Sequence, residues 1–130
     1  MSQPAMLHEV APEKALLKEL GNISGVEIFN NQVLVAVYIR PEKTRGGIIL
    51  ANQTRDEDRY QSKVGLLVKR GDAAFKDDTN TWFANTKFAL NDWLVYRPSD
   101  GWQITINGVL CRLLADTEIR GRVDNPDRVW

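Results

Sequence analysis

The side chains that most often carry chemistry are few in this sequence, and their spacing is poor. The serines are Ser2, Ser24, Ser62 and Ser99, and none sits in a Gly-x-Ser-x-Gly elbow, the strained turn that exposes a nucleophile. The single histidine, His8, stands near the start, so any pairing with the single cysteine, Cys111, has to reach across the fold. Nucleophilic catalysis is not expected, and the chain reads as a non-enzyme. Asp77 and Asp78 are adjacent carboxylates in a polar stretch, without the further oxygen ligands that calcium loops place at fixed intervals. One cysteine builds neither an internal disulfide nor a multi-thiolate zinc site. No metal and no cofactor are expected.

The chemistry that stands out is that of binding. Gly46-Gly47-Ile48-Ile49-Leu50 places three large aliphatic side chains behind a glycine hinge, inside a stretch that also carries Lys43, Thr44, Arg45 and the dense run Arg55-Asp56-Glu57-Asp58-Arg59. Apolar side chains in such polar company suit either an edge strand after a glycine turn or a surface that docks on a partner. The surrounding 24 residues, 40–63, form a long connection, and a long connection in a compact domain is usually functional or disordered. Four tryptophans, Trp82, Trp93, Trp102 and Trp130, could form a stacking platform for sugars or bases. Trp93 and Trp102 lie in strand-like runs and are read as core or interface residues, whereas Trp82 beside Phe83 is read as packing or as contact with a bound chain. Arg70-Gly71-Asp72, Asn22-Ile23-Ser24 and Asn52-Gln53-Thr54 match adhesion and glycosylation motifs in form only.

The elements that hold these residues follow from the hydrophobic pattern. Pro12 opens a run of good helix formers that Gly21 is placed to stop, and Leu16, Leu17 and Leu20 give it an apolar stripe. A helix of about nine residues is marginal alone in water, so the stripe has to dock on its own domain or on a neighbour. From residue 31 onward the pattern becomes short β-prone runs between turn residues. Strands are expected over 33–39, 64–69, 87–90, 93–96, 102–106, 109–114 and 119–123, and the first is apolar on both faces. Asn107-Gly108 joins two of them in a two-residue hairpin turn. Residues 71–86 read as a long polar hairpin holding Asp72, Asp77, Asp78, Phe75, Trp82 and Phe83. Many short strands with one helix predict an all-β fold, a small barrel or sandwich.

Composition narrows the partners. Seventeen Lys and Arg balance seventeen Asp and Glu in 130 residues, which disfavours a nucleic-acid or anionic-membrane binder because such proteins normally carry a basic excess. Apolar residues at 43% and charged residues at 26% are those of an ordinary globular chain of one domain. The lone cysteine, the absence of a run long and apolar enough to span a bilayer, and an N-terminus unlike a secretory signal lead us to expect a cytoplasmic protein.

The order of these elements resembles the GroES-like co-chaperonins, the lids of chaperonin rings. Asn31-Gln32-Val33-Leu34-Val35 resembles the family's first barrel strand, and Lys43-Thr44-Arg45-Gly46-Gly47-Ile48-Ile49-Leu50 resembles its mobile loop. Val64-Gly65-Leu66-Leu67-Val68 resembles the following strand, and Leu90-Asn91-Asp92-Trp93-Leu94-Val95-Tyr96 takes the place of a Val-Gly-Asp-hydrophobic segment. Gly108-Val109-Leu110-Cys111-Arg112-Leu113-Leu114 and Asp116-Thr117-Glu118-Ile119 are similar to the closing strands.

The resemblance implies a partly irregular β-barrel over 28–123 with a mobile loop at 40–63 and a roof hairpin at 71–86, preceded by a helical arm over 1–27 and followed by a tail over 124–130. It implies a homo-oligomer, a heptamer, that caps a chaperonin ring through Gly46, Gly47, Ile48, Ile49 and Leu50. Subunits are expected to meet through a strand near the start and one near the end, with Val33, Val35, Val37, Ile119 and Val123 at the junction. Asp77, Asp78, Trp82 and Phe83 fall in the roof. Departures are plain: the long arm, Ala36-Val37 in place of a Lys-Arg pair, Asn91 in place of a glycine, aromatics in the roof, and the tail. Such drift suits a bacteriophage-encoded or otherwise specialised member. The alternative expectation is a phage virion structural protein, a head decoration or connector, that keeps the barrel and binds capsid proteins through its terminal extensions.

Overall fold

The computed structural model describes residues 11–40, 61–76, 79, 83 and 86–129. The chain runs through one helix, α1 (Pro12–Leu20), and six strands: β1 (Gln32–Val37), β2 (Val64–Arg70), β3 (Trp93–Val95), β4 (Trp102–Ile106), β5 (Val109–Ala115) and β6 (Gly121–Val123). All pairings are antiparallel and belong to one sheet in the order β4-β5-β1-β2-β3-β6. The expected all-β class holds. Among the described residues β4 and β6 are the two ends of this ladder, and β1, hydrogen-bonded on both sides, is central.

Strand alternation divides the core between the two faces of the sheet. Leu34, Ala36, Leu66, Trp93 and Cys111 are buried on one face, and Val33, Val35, Leu67, Leu94 and Leu114 on the other. A strand buried on both faces has to be apolar throughout, which is why β1 reads as a continuous hydrophobic run. A register shift between Leu34 and Val35 bends β1 against β2. The β4–β5 hairpin turns at Asn107 (φ 52°) and Gly108 (φ 81°), the positive-φ pair that a two-residue loop demands.

The terminal segments cover the first face. Leu20 is buried in that cluster, with Leu16, Ile23, Val26 and Ile28 packed against it, while Leu17 lies at the exposed rim. Asn107 Nδ2 donates to Leu20 O at 2.7 Å, so the hairpin turn also satisfies a carbonyl left open at the end of α1. Lys69 Nζ donates to Val26 O at 2.7 Å, further along the same arm. The tail joins from the other end of the chain, with Pro126 buried and Val129 packed on the cluster. The apolar stripe of α1 is therefore covered by its own domain.

The expected strand at 87–90 does not form. Asn91 takes φ 75°, and its N–H donates to Leu67 O at 2.7 Å while Leu67 N donates to Asp92 O at 2.9 Å, so residues 91 and 92 occupy that part of the β2 edge. Asp92 Oδ2 accepts from Ala89 N at 3.0 Å, closing a turn where the run looked extended.

Candidate functional site

Residues 46–50, expected to contact a partner, lie outside the described residues, as do Asp77, Asp78 and Trp82. What the structure describes is how the sheet frames them. Segment 41–60 leaves from Tyr38 to Arg40 and returns at Ser62 to Val64. Tyr38 N donates to Val64 O at 3.1 Å, one step past the end of β1. The Ser62 hydroxyl, buried, reaches Tyr38 O at 2.7 Å and Val64 O at 3.2 Å, and Tyr96 N donates to Lys63 O at 3.0 Å. These bonds make a closed neck. Only the ends of β1 and β2 are needed to set where the long connection begins and ends.

The two ends of the connection between β2 and β3 are held as firmly. Asp116 is 4% exposed; its Oδ2 accepts from Phe75 N at 3.0 Å and its Oδ1 from Asn31 Nδ2 at 3.1 Å. Phe75, held at φ 61°, stacks on Phe88 with ring centroids 4.0 Å apart, and Phe83 meets both rings edge-on. Arg122 of β6 closes the other end: its guanidinium lies over the Phe88 ring at 5.3 Å and donates to Lys87 O at 2.6 Å. Removing Asp116 leaves a buried amide without its acceptor. Asp116→Ala is expected to lower stability by about 1–3 kcal/mol, read from the urea midpoint at unchanged slope.

Of the residues expected at a subunit junction, Val33, Val35 and Val37 are buried within the chain. β1 has no free edge, so its backbone is already committed to β2 and β5. Val123, in contrast, lies on β6 at a sheet end, and Ile119 packs at the margin of the second cluster. Among the described residues the most exposed large apolar side chains are Trp102 at 72% and Phe29 at 66%. Trp102 opens β4 at the other sheet end, and Phe29 precedes β1 in a stretch that belongs to no ladder.

No catalytic arrangement appears among the described residues. Cys111 is buried and its burial pushes the thiol from 9.0 up to about 11, so it stays protonated at neutral pH. Tyr96 is held neutral in the same way by burial, opposed in part by the neighbouring Arg112. Arg112, itself buried, donates to Pro98 O at 2.7 Å and Asp100 O at 2.5 Å and lies 5.4 Å from the Tyr96 ring, a structural brace for the loop before β4. No group of three or more His, Cys, Asp and Glu that could hold a metal ion occurs among the described residues. No helix there is long and apolar enough to cross a membrane.

The positions sequence reasoning overlooked are Asp116, Arg112 and Asp127. Each makes its contact with a residue distant in sequence, Asp116 with Phe75, Arg112 with Pro98 and Asp127 with Tyr38, so no local pattern announces it.

The described residues form a single six-stranded antiparallel sheet whose two central strands, β1 and β2, are joined by a long connection. The chain belongs to the chaperonin 10 Kd subunit family, whose family model matches residues 25–123, well over half its length. That is a family of co-chaperonins, partners of chaperonin rings, and not of enzymes. The GroES-like resemblance read from the sequence is thereby established. No curated protein matches the chain.

Proposed function

We propose that this protein caps a chaperonin ring as one of several identical subunits, probing it with Ile48, Ile49 and Leu50 on the Gly46-Gly47 hinge. The observation that carries the reading is the family match over 25–123, which spans this segment and the sheet that frames it. The closed neck at Tyr38, Ser62 and Val64 supports it, because a contact segment has to leave a rigid base to be aimed.

Assembly follows from the edges. Among the described residues the sheet ends at β4 and β6; a sheet edge invites partners, and a head-to-tail contact closes into a ring when its rotation allows. We place the junction at β6, with Ile119 and Val123, against Phe29 of the next copy. Phe29 lies near the start of the chain, belongs to no ladder and is exposed. A heptamer matches the resemblance, and the roof residues Asp77, Asp78, Trp82 and Phe83 then face one another across the ring. The virion alternative draws on the terminal extensions, but residues 11–28 and 124–129 pack on the chain's own sheet and lend it no support.

The test is native mass of the intact particle together with nucleotide-dependent co-sedimentation with a chaperonin ring. A ring-sized particle that pellets only with the chaperonin is expected. A stable monomer, or a particle that ignores the chaperonin, overturns the reading.

A further inference from the structure

The tail extends beyond the family match, which ends at residue 123, yet it is held in place. Asn125 Oδ1 accepts from Asp127 N at 3.0 Å and opens a short 3-10 turn, Pro126–Arg128, that buries Pro126. Val129 packs on the same cluster as Tyr38 and Trp93, whose rings meet edge-on at 5.7 Å. The turn carries the Asp127 carboxylate to the Tyr38 hydroxyl, which donates to its Oδ1. A phenol donating to a carboxylate is a charge-assisted bond, stronger than one between neutral groups. Tyr38 is also the residue whose backbone closes the neck, through its N–H to Val64 O and its carbonyl from Ser62 Oγ.

We propose that Pro126, Asp127 and Val129 of the C-terminal segment form a clasp on the neck at Tyr38, with Asp127 and Tyr38 acting as positioning residues for the chaperonin contact. The inference rests on the reading of residues 46–50 as that contact. The clasp touches no partner itself. It holds Tyr38 in one place, so the chain leaves β1 in one direction and less freedom is lost when the contact forms. Three independent anchors converge on this point: the hydroxyl–carboxylate bond, buried Pro126, and Val129 against the shared cluster.

The experiment compares Tyr38→Phe, Asp127→Ala, the double variant, and Arg128→Ala as a neighbouring control, in the assembled full-length protein. Arg128 reaches only exposed Asp124, at 2.7 Å. Four quantities are read: the dissociation constant for the chaperonin ring, the melting temperature, the particle mass, and hydrogen-exchange protection of the Tyr38 amide. Tyr38→Phe and Asp127→Ala should each weaken binding about tenfold, the equivalent of one charge-assisted bond, and the double variant should go no further. Particle mass should hold, Arg128→Ala should bind as the parent does, and protection at Tyr38 should fall only in the clasp variants.

Unchanged affinity and unchanged protection in the clasp variants would overturn the inference. So would weakened binding that merely follows a fall in melting temperature. The serine triple variant at 48–50 separates the two claims: if it binds normally, the functional reading fails, and protection at Tyr38 still decides whether the clasp exists.

Discussion

Replacing Ile48, Ile49 and Leu50 together with serine should abolish nucleotide-dependent co-sedimentation with a chaperonin ring while leaving particle mass and melting temperature unchanged. Each aliphatic side chain contributes roughly 1.5–3 kcal/mol when fully buried in an apolar groove, so one contact segment gains about 5–9 kcal/mol. Ordering some ten residues behind a glycine hinge costs on the order of 1–2 kcal/mol each, which offsets that gain. A single copy therefore binds weakly, and the ring binds well only because its other copies then meet their sites at an effective concentration near millimolar. Serine removes the gain and keeps the cost. Even the lower bound of about 5 kcal/mol corresponds to a loss of more than about a thousandfold per site. Binding that survives the triple substitution removes residues 48–50 from the mechanism.

The second large effect concerns Gly71, immediately after the end of β2. A Cβ there would stand 2.2 Å from Asn30 O and 2.7 Å from both Phe29 C and Phe29 O. These are backbone atoms, and they are tied down: Gly71 N donates to Gln32 O at 2.8 Å and Ala73 N to Asn30 O at 3.0 Å. No side-chain rotation relieves the clash, so the entry to β1 and the chain just after β2 have to move apart. Gly71→Ala should destabilise by about 3 kcal/mol, read from chemical unfolding. Gly25→Ala is the matched control, because nothing lies within 4 Å of its Cβ and the loss of unfolded-state freedom then favours folding by about 0.4–1 kcal/mol. Equal effects at the two glycines would show that the close approach at Gly71 does not constrain the fold.

Much of the architecture was legible because it rests on local signals. The helix at Pro12–Leu20 follows from a proline at its first turn and a glycine at its end, and Gly21 indeed takes φ 66°. The β4–β5 hairpin follows from Asn107-Gly108, and the burial of β1 on both of its faces from its continuous apolar run. The misreading at 87–90 has a local cause too: its residues suit a strand, but Asn91 in a positive-φ turn and the stacking of Phe88 on Phe75 hold the chain elsewhere. What composition and periodicity could not supply were contacts between distant positions. Asn107 with Leu20, Asp116 with Phe75, and Tyr38 with Asp127 join residues 87, 41 and 89 positions apart. The same kind of fact puts β1 inside the sheet, since the strands that pair with both of its edges come from later in the chain. Residues 46–50 stand out in the sequence as aliphatic side chains after two glycines amid charges, whereas the closed neck at Tyr38, Ser62 and Val64 needed the fold.

The account turns on many weak contacts acting together, and that is measured most directly by comparing affinities for one chaperonin ring. A synthetic peptide of residues 40–63 and the intact assembly are titrated under the same nucleotide conditions. The assembly should bind at least about a hundredfold more tightly than the peptide, and the serine-substituted peptide should not bind at all. Equal affinities for peptide and assembly would contradict the account, because a single segment would then suffice and the ring would have no part in holding the lid in place.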